Sequence, residues 1–104
     1  MGEESNQSKK ARLYQLLTQY EDWIPTLKEA IEVEKLGVEK YKREGYGQYL
    51  GFEWFEVHTP GPRLYKMVTE RVLNITFSSR SSTHYKVVDP GLVTEVIEAL
   101  EKPG

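Results

Sequence analysis

Cysteine is absent from the chain. That removes disulfides, thiolate zinc sites and cysteine nucleophiles, and it fits a reducing, cytoplasmic interior. Long apolar runs are absent too. None approaches the roughly 20 residues that span a bilayer, so no membrane attachment is expected. The opening MGEESNQSKK lacks the apolar stretch of a signal peptide. Asn6 stands where a myristoylation signal after Gly2 wants Ser or Thr. An excess of basic charge is also missing. Fourteen Lys and Arg stand against 16 Asp and Glu, a net of -2, whereas a chain that coats nucleic acid by charge alone is basic. Finally, there is no phosphate-binding glycine fingerprint. GYGQYLG has neither the preceding strand nor the following helix start, and no cofactor is expected.

What is present suffices for one domain. At 104 residues the chain can bury somewhat under two thirds of its unfolded surface, enough for a modest core. The expected domain covers residues 8–100, with 1–7 and 101–104 as flexible ends. The charge is unevenly spread. Between Gly61 and Val87 the charged residues are Arg63, Lys66, Arg71, Arg80 and Lys86 against Glu70 alone. That segment carries +4, which leaves −6 for the remainder of a chain whose total is -2.

Apolar periodicity orders the elements. Leu13, Leu16, Leu17 and Tyr20 form the stripe of a first helix capped by Ser8. EDWIPT interrupts it, and Trp23 and Ile24 before Pro25 read as a short extended piece. TLKE then reads as a capping box that opens a second helix at Thr26, ending at Gly37 or running on to Glu44. The segment from Gly45 to Pro62 is rich in glycine, aromatics and proline, which argues against helix. Residues 49–57 read as a strand buried on both faces or as an ordered aromatic loop. Pro62 opens a third helix with the stripe Leu64, Met67, Val68 and Val72. Ile75–Ser79 and His84–Val88 alternate as two strands of a hairpin with a flexible tip at residues 80–83. Ile75, Phe77, Tyr85 and Val87 form its core side. Asp89 caps a last helix with Pro90 in its first turn.

This order resembles the winged helix-turn-helix superfamily, an α+β fold. LLTQYEDWIPTLKEAIE is similar to the first helix, short strand and second helix of such domains. PGPRLYKMVTERVL is similar to the third, recognition helix, and NITFSSRSSTHYKVVD to the wing. The long insert between the second and third helices departs from the family pattern. The resemblance implies a DNA-binding protein, possible in transcription or replication, with the third helix in the groove of double-stranded DNA and the wing along the phosphates. Carried onto this chain, the contacts are Arg63, Lys66, Thr69, Arg71, Asn74, Ser79, Arg80, Ser81, Ser82, Thr83 and Lys86. Cations and hydroxyls are the usual phosphate donors.

Two alternatives draw on other residues. A protein-interaction module, as a homodimer or complex subunit, would dock through Tyr14, Tyr20, Tyr46, Tyr49 and Trp54. A single-strand reader would stack bases on Tyr46, Tyr49, Phe52, Trp54 and Phe55, although Glu44, Glu53 and Glu56 would repel its phosphates. Catalysis has little support. Ser79, His84 and Asp89 supply the residue types of a triad without a nucleophile elbow. Glu56, His58 and His84 are too few for a metal site. The expectation is a non-enzymatic protein.

Overall fold

A computed structural model describes residues 6–102. Among these residues the architecture is α+β, with four α-helices and one two-stranded antiparallel sheet. The helices are α1 (Asn6–Gln19), α2 (Trp23–Glu44), α3 (Gly61–Thr69) and α4 (Pro90–Glu101). The strands are β1 (Leu73–Ser78) and β2 (Thr83–Val87), and one turn of 3₁₀ helix covers Trp54–Glu56. The expected flexible ends lie partly outside the described residues. Within them, Asn6 and Gln7 already belong to α1, and Glu101 closes α4.

Leu13, Leu16 and Leu17 of α1, Leu64 and Met67 of α3, and Val93, Val96 and Ile97 of α4 meet in one buried cluster. Trp23, Leu27 and Ala30 of α2, with Leu73 and Val87 of the hairpin, complete it. Fully burying a side chain of this kind contributes roughly 1.5–3 kcal/mol, so this cluster, not the surface ion pairs, holds the fold. The pairs that join helices, Lys10 with Glu95 and Lys28 with Glu101, are solvent-exposed and contribute little.

The second helix corrects the sequence reading. Trp23 and Ile24 form its first turn rather than a short strand. Pro25 is tolerated because its missing N–H would be one of the four unpaired amides of a helix start. Thr26 caps nothing. Its hydroxyl is buried and lies 3.1 Å from that of Thr59, which itself donates to the Val57 carbonyl. Of the two expected ends, Gly37 and Glu44, the helix takes the second. α2 runs on to Glu44 and stops at Gly45, whose left-handed backbone (φ 69°) turns its N–H onto the Tyr41 carbonyl. Gly37 has a different use: a Cβ there would stand 2.4 Å from the Tyr49 ring. The insert folds back along the far half of α2, and Tyr41 receives Tyr46 and Tyr49 edge-on at 5.4 and 5.3 Å.

The insert then crosses to the sheet. Phe52 pairs with Tyr85 on the outer edge of β2, through Phe52 N–H to Tyr85 O at 2.9 Å and Tyr85 N–H to Phe52 O at 2.8 Å. Its ring is fully buried and stacks on Tyr85 at 5.7 Å. Phe52 is the aromatic residue of this stretch that enters the core. Trp54 and Phe55 are 59% and 55% exposed. Of the two readings of residues 49–57, the ordered aromatic loop is the one the structure takes, with this single bridge in place of a strand.

The hairpin carries a second correction. A bulge at Thr76 shifts the register, so Ile75 faces Tyr85 while Phe77 faces His84. Tyr85 and His84 are neighbours and point to opposite faces, so Phe77 is on the opposite side from Ile75. Both are exposed, at 48% and 41%. Only Leu73, Val87 and part of Tyr85 serve the core.

Tyr49 yields a stability prediction. Its hydroxyl is buried with no hydrogen-bond partner among the described residues. Burial first, then the Glu56 and Glu34 carboxylates and Tyr41, raise its pKa well above the ordinary value near 10. An unpaired buried hydroxyl costs about 1–3 kcal/mol, so Tyr49→Phe is expected to stabilise the protein by about 1 kcal/mol in urea denaturation. The raised pKa means the phenol must stay protonated in the folded state. Its contribution is complete below pH 10 and is lost as the pH climbs above that value. Tyr49→Phe should therefore also flatten the alkaline limb of the stability curve, and an unchanged limb would count against this burial.

Candidate nucleic-acid interface

Helix α3 begins with Gly61 and Pro62 and buries Leu64 and Met67, which leaves Tyr65, Lys66 and Thr69 outward. Its cations are not free. Arg63 forms an ion pair with Asp22 at 2.7 Å. Lys66 lies 4.0 Å from Glu70 and 5.7 Å from the centre of the Tyr20 ring. Tyr20 in turn stacks on buried Trp23 at 4.4 Å. The turn between α1 and α2 thus grips one side of α3 and neutralises it. Thr69 donates to the Tyr65 carbonyl within its own helix. Tyr65, 72% exposed, is the most open large side chain of α3. The sequence pattern places it at the edge of the apolar stripe and gives no sign of that exposure.

The hairpin is different. Arg71 follows α3 in the left-handed backbone region, φ 63°, and is exposed, as is Asn74, which faces Lys86 across the strands. At the tip, Arg80 and Ser81 are exposed, and Ser82 and Thr83 are half-buried. The tip is more ordered than a polar loop requires. The Ser79 N–H donates to the Ser82 carbonyl at 2.8 Å, and the Ser79 hydroxyl accepts from the amides of Ser81 and Ser82 at 3.3 and 3.2 Å. Ser79 therefore builds the turn, and Arg80 projects from it. Lys86 is held with its ammonium 5.8 Å from the centre of the Tyr49 ring. Among the described residues, Arg71, Arg80 and Lys86 have no acidic partner within ion-pair distance.

The aromatic set does not assemble as one platform. Phe52 is in the core and Tyr49 is wedged between Gly37 and Lys86. Tyr20 is covered by Trp23 and Lys66. What remains outward is Tyr46, half-exposed Tyr14, and the Trp54–Phe55 pair, edge-on at 5.9 Å. The residues considered for chemistry are also dispersed. Glu56 accepts from the Glu53 N–H, His58 meets Glu29 at 2.8 Å, and His84 Nδ1 lies 3.0 Å from the Gly51 carbonyl. Asp89 caps α4 by accepting from the Leu92 N–H at 3.3 Å, so Ser79, His84 and Asp89 each have a separate structural task. Among the described residues no helix is long and apolar enough to cross a membrane.

Comparison with protein-family models, with curated proteins and with solved structures gave no match.

Proposed function

We propose that the chain is a winged-helix module that holds duplex DNA chiefly by its hairpin, through the phosphates. The observation that carries this reading is the contrast between the two basic elements. Arg63 and Lys66 of α3 sit beside Asp22 and Glu70, whereas Arg71, Arg80 and Lys86, from the base of the hairpin to its tip, have no carboxylate within ion-pair distance among the described residues. A helix order of α1, α2, α3, hairpin, α4 supports the winged-helix layout. The short strand that the family resemblance assigned to Trp23 and Ile24 is absent, and a single bridge at Phe52 of the insert pairs with β2 instead. Cations that face phosphates fix position and carry no sequence information, so binding is expected to depend little on sequence.

Three phosphate contacts imply that log affinity falls with log salt at a slope of about −2.7, or roughly 40-fold between 50 and 200 mM. The double variant Arg80→Ala/Lys86→Ala is expected to bring the slope to about −0.9, while Arg63→Ala leaves it nearly unchanged because that guanidinium is occupied by Asp22. Fluorescence anisotropy with a labelled 20-base-pair duplex reads both. No binding at 20 mM salt, or a slope that responds to Arg63 and not to the hairpin pair, would sink the proposal.

A second reading, docking to a protein partner, draws on the exposure of Trp54 and Phe55, whose turn carries only acidic charge, Glu53 and Glu56. The two readings part on Trp54→Ser/Phe55→Ser, which should leave DNA affinity untouched under the first.

A further inference from the structure

At the base of the hairpin, α1, α4 and the α3–β1 turn form a half-open cavity of about 290 Å³. Three cations from two distant parts of the sequence line it: Lys9 and Arg12 from α1 and Arg71 from the turn. Its apolar wall comes from Leu13, Val72, Val88 and Leu92. We infer that this cavity is a binding site for a small organic anion, a phosphate or carboxylate head on a compact hydrocarbon or aromatic body. The inference does not rest on DNA binding, and Arg71 is the one residue the two readings share.

Four observations converge. The first is charge. Among the described residues the single acid in the lining is Asp89, and its carboxylate already accepts from the first turn of α4. Lys9 and Arg71 against that one engaged carboxylate leave the described lining net positive without counting Arg12. The second is preorganisation. The Arg12 guanidinium donates to the Glu70 carbonyl at 3.0 Å, which fixes it against the residue that precedes Arg71. The third is backbone strain. Arg71 adopts φ 63°, a conformation that glycine takes freely and other residues adopt at a cost of order 1–3 kcal/mol. Glycine would make this turn at less expense, so the guanidinium is what the chain gains by having arginine there. The fourth is size. A dry apolar cavity of about 150 Å³ accepts benzene, so 290 Å³ accommodates a ring together with an anionic head.

Phenyl phosphate is a suitable probe, with inorganic phosphate and phenol as its two halves. In a ¹⁵N–¹H titration of the full chain, phenyl phosphate should saturate and shift the amides of Val72, Val88 and Leu92. It should bind at least fivefold more tightly than inorganic phosphate, and phenol should bind more weakly still. Arg71→Gly, which relaxes the turn and therefore preserves the fold, should weaken phenyl phosphate at least tenfold. Lys9→Gln should weaken it several-fold by a charge change on the opposite wall. The inference is overturned if phenyl phosphate binds no better than inorganic phosphate, which would mean surface cations alone. It is equally overturned if the shifts fall elsewhere, or if Arg71→Gly binds as well as the parent protein.

Discussion

Gly51→Ala is expected to lower the melting temperature by at least 12 °C. Gly51 has φ 129°, a backbone conformation essentially reserved for glycine, and forcing a side chain into it costs of order 1–3 kcal/mol. The steric term is separate. A Cβ at Gly51 would stand 2.4 Å from the Tyr85 carbonyl oxygen and 2.8 Å from the Thr76 hydroxyl. The first of these atoms is backbone and cannot swing aside. Overpacking of this kind adds about 1–3 kcal/mol. The sum is on the order of 3 kcal/mol or more, and each kcal/mol moves the midpoint of a domain this size by about 4–8 °C. Gly91→Ala is the control: its Cβ would meet nothing within 4 Å, and its effect should stay within about 0.5 kcal/mol. Calorimetry of the two variants decides the matter. If Gly51→Ala costs less than about 1 kcal/mol, the insert does not dock on β2 as described.

Trp23→Ala should cost about 3–5 kcal/mol, the usual loss for deleting a buried tryptophan. Trp23 is only 3% exposed and starts α2. Its stacked contact with Tyr20 joins α1 to α2, and Tyr20 carries Lys66 of α3 on its other side. One ring therefore ties three helices together. Trp54 offers an internal contrast, because at 59% exposure its truncation should stay within about 0.5 kcal/mol. The two indoles also separate spectroscopically. In Trp54→Ala the remaining emission should be blue-shifted and resist iodide quenching, and in Trp23→Ala it should be red-shifted and quenched. Equal unfolding costs for the two truncations would contradict the packing.

Where the controlling signal was local, the sequence was readable. Asp89 and Pro90 announce α4, and the Asp89 carboxylate does accept from the Leu92 amide. Pro62 and the stripe Leu64–Met67 announce α3, and the strands lie within two residues of their expected bounds. The failures share one cause, a partner distant in the chain. Thr26 resembles a helix cap, but its hydroxyl is taken by Thr59, 33 residues later. Gly37 left the end of α2 open between itself and Glu44, and what needs it to be small is Tyr49. Phe77 alternates correctly with Ile75, yet the bulge that turns it outward accompanies the Thr76 hydroxyl, which donates to the Leu50 carbonyl of the insert. The candidate interface was legible as a list of cations. Which of them the fold neutralises was not, because Asp22 and Arg63 meet only once α3 has packed. Lys9, Arg12 and Arg71 are likewise gathered by α1 lying against the α3–β1 turn, which no spacing in the sequence encodes.

The bridge between Phe52 and Tyr85 has a consequence for solubility. Every hairpin has two open edges, and open edges invite strand-by-strand aggregation. Phe52 occupies the outer edge of β2 at Tyr85, and the Glu34 carboxylate accepts from the Val87 N–H at 3.0 Å on the same strand. The opposite edge, β1, reads LNITFS and carries no charge; its defence is the bulge at Thr76. If the insert detaches, an uncharged strand and a newly bared one lie side by side. The first step toward self-association is then the loss of one bridge, well short of global unfolding, and the glycine that lets the insert approach so closely acts as a gatekeeper against it.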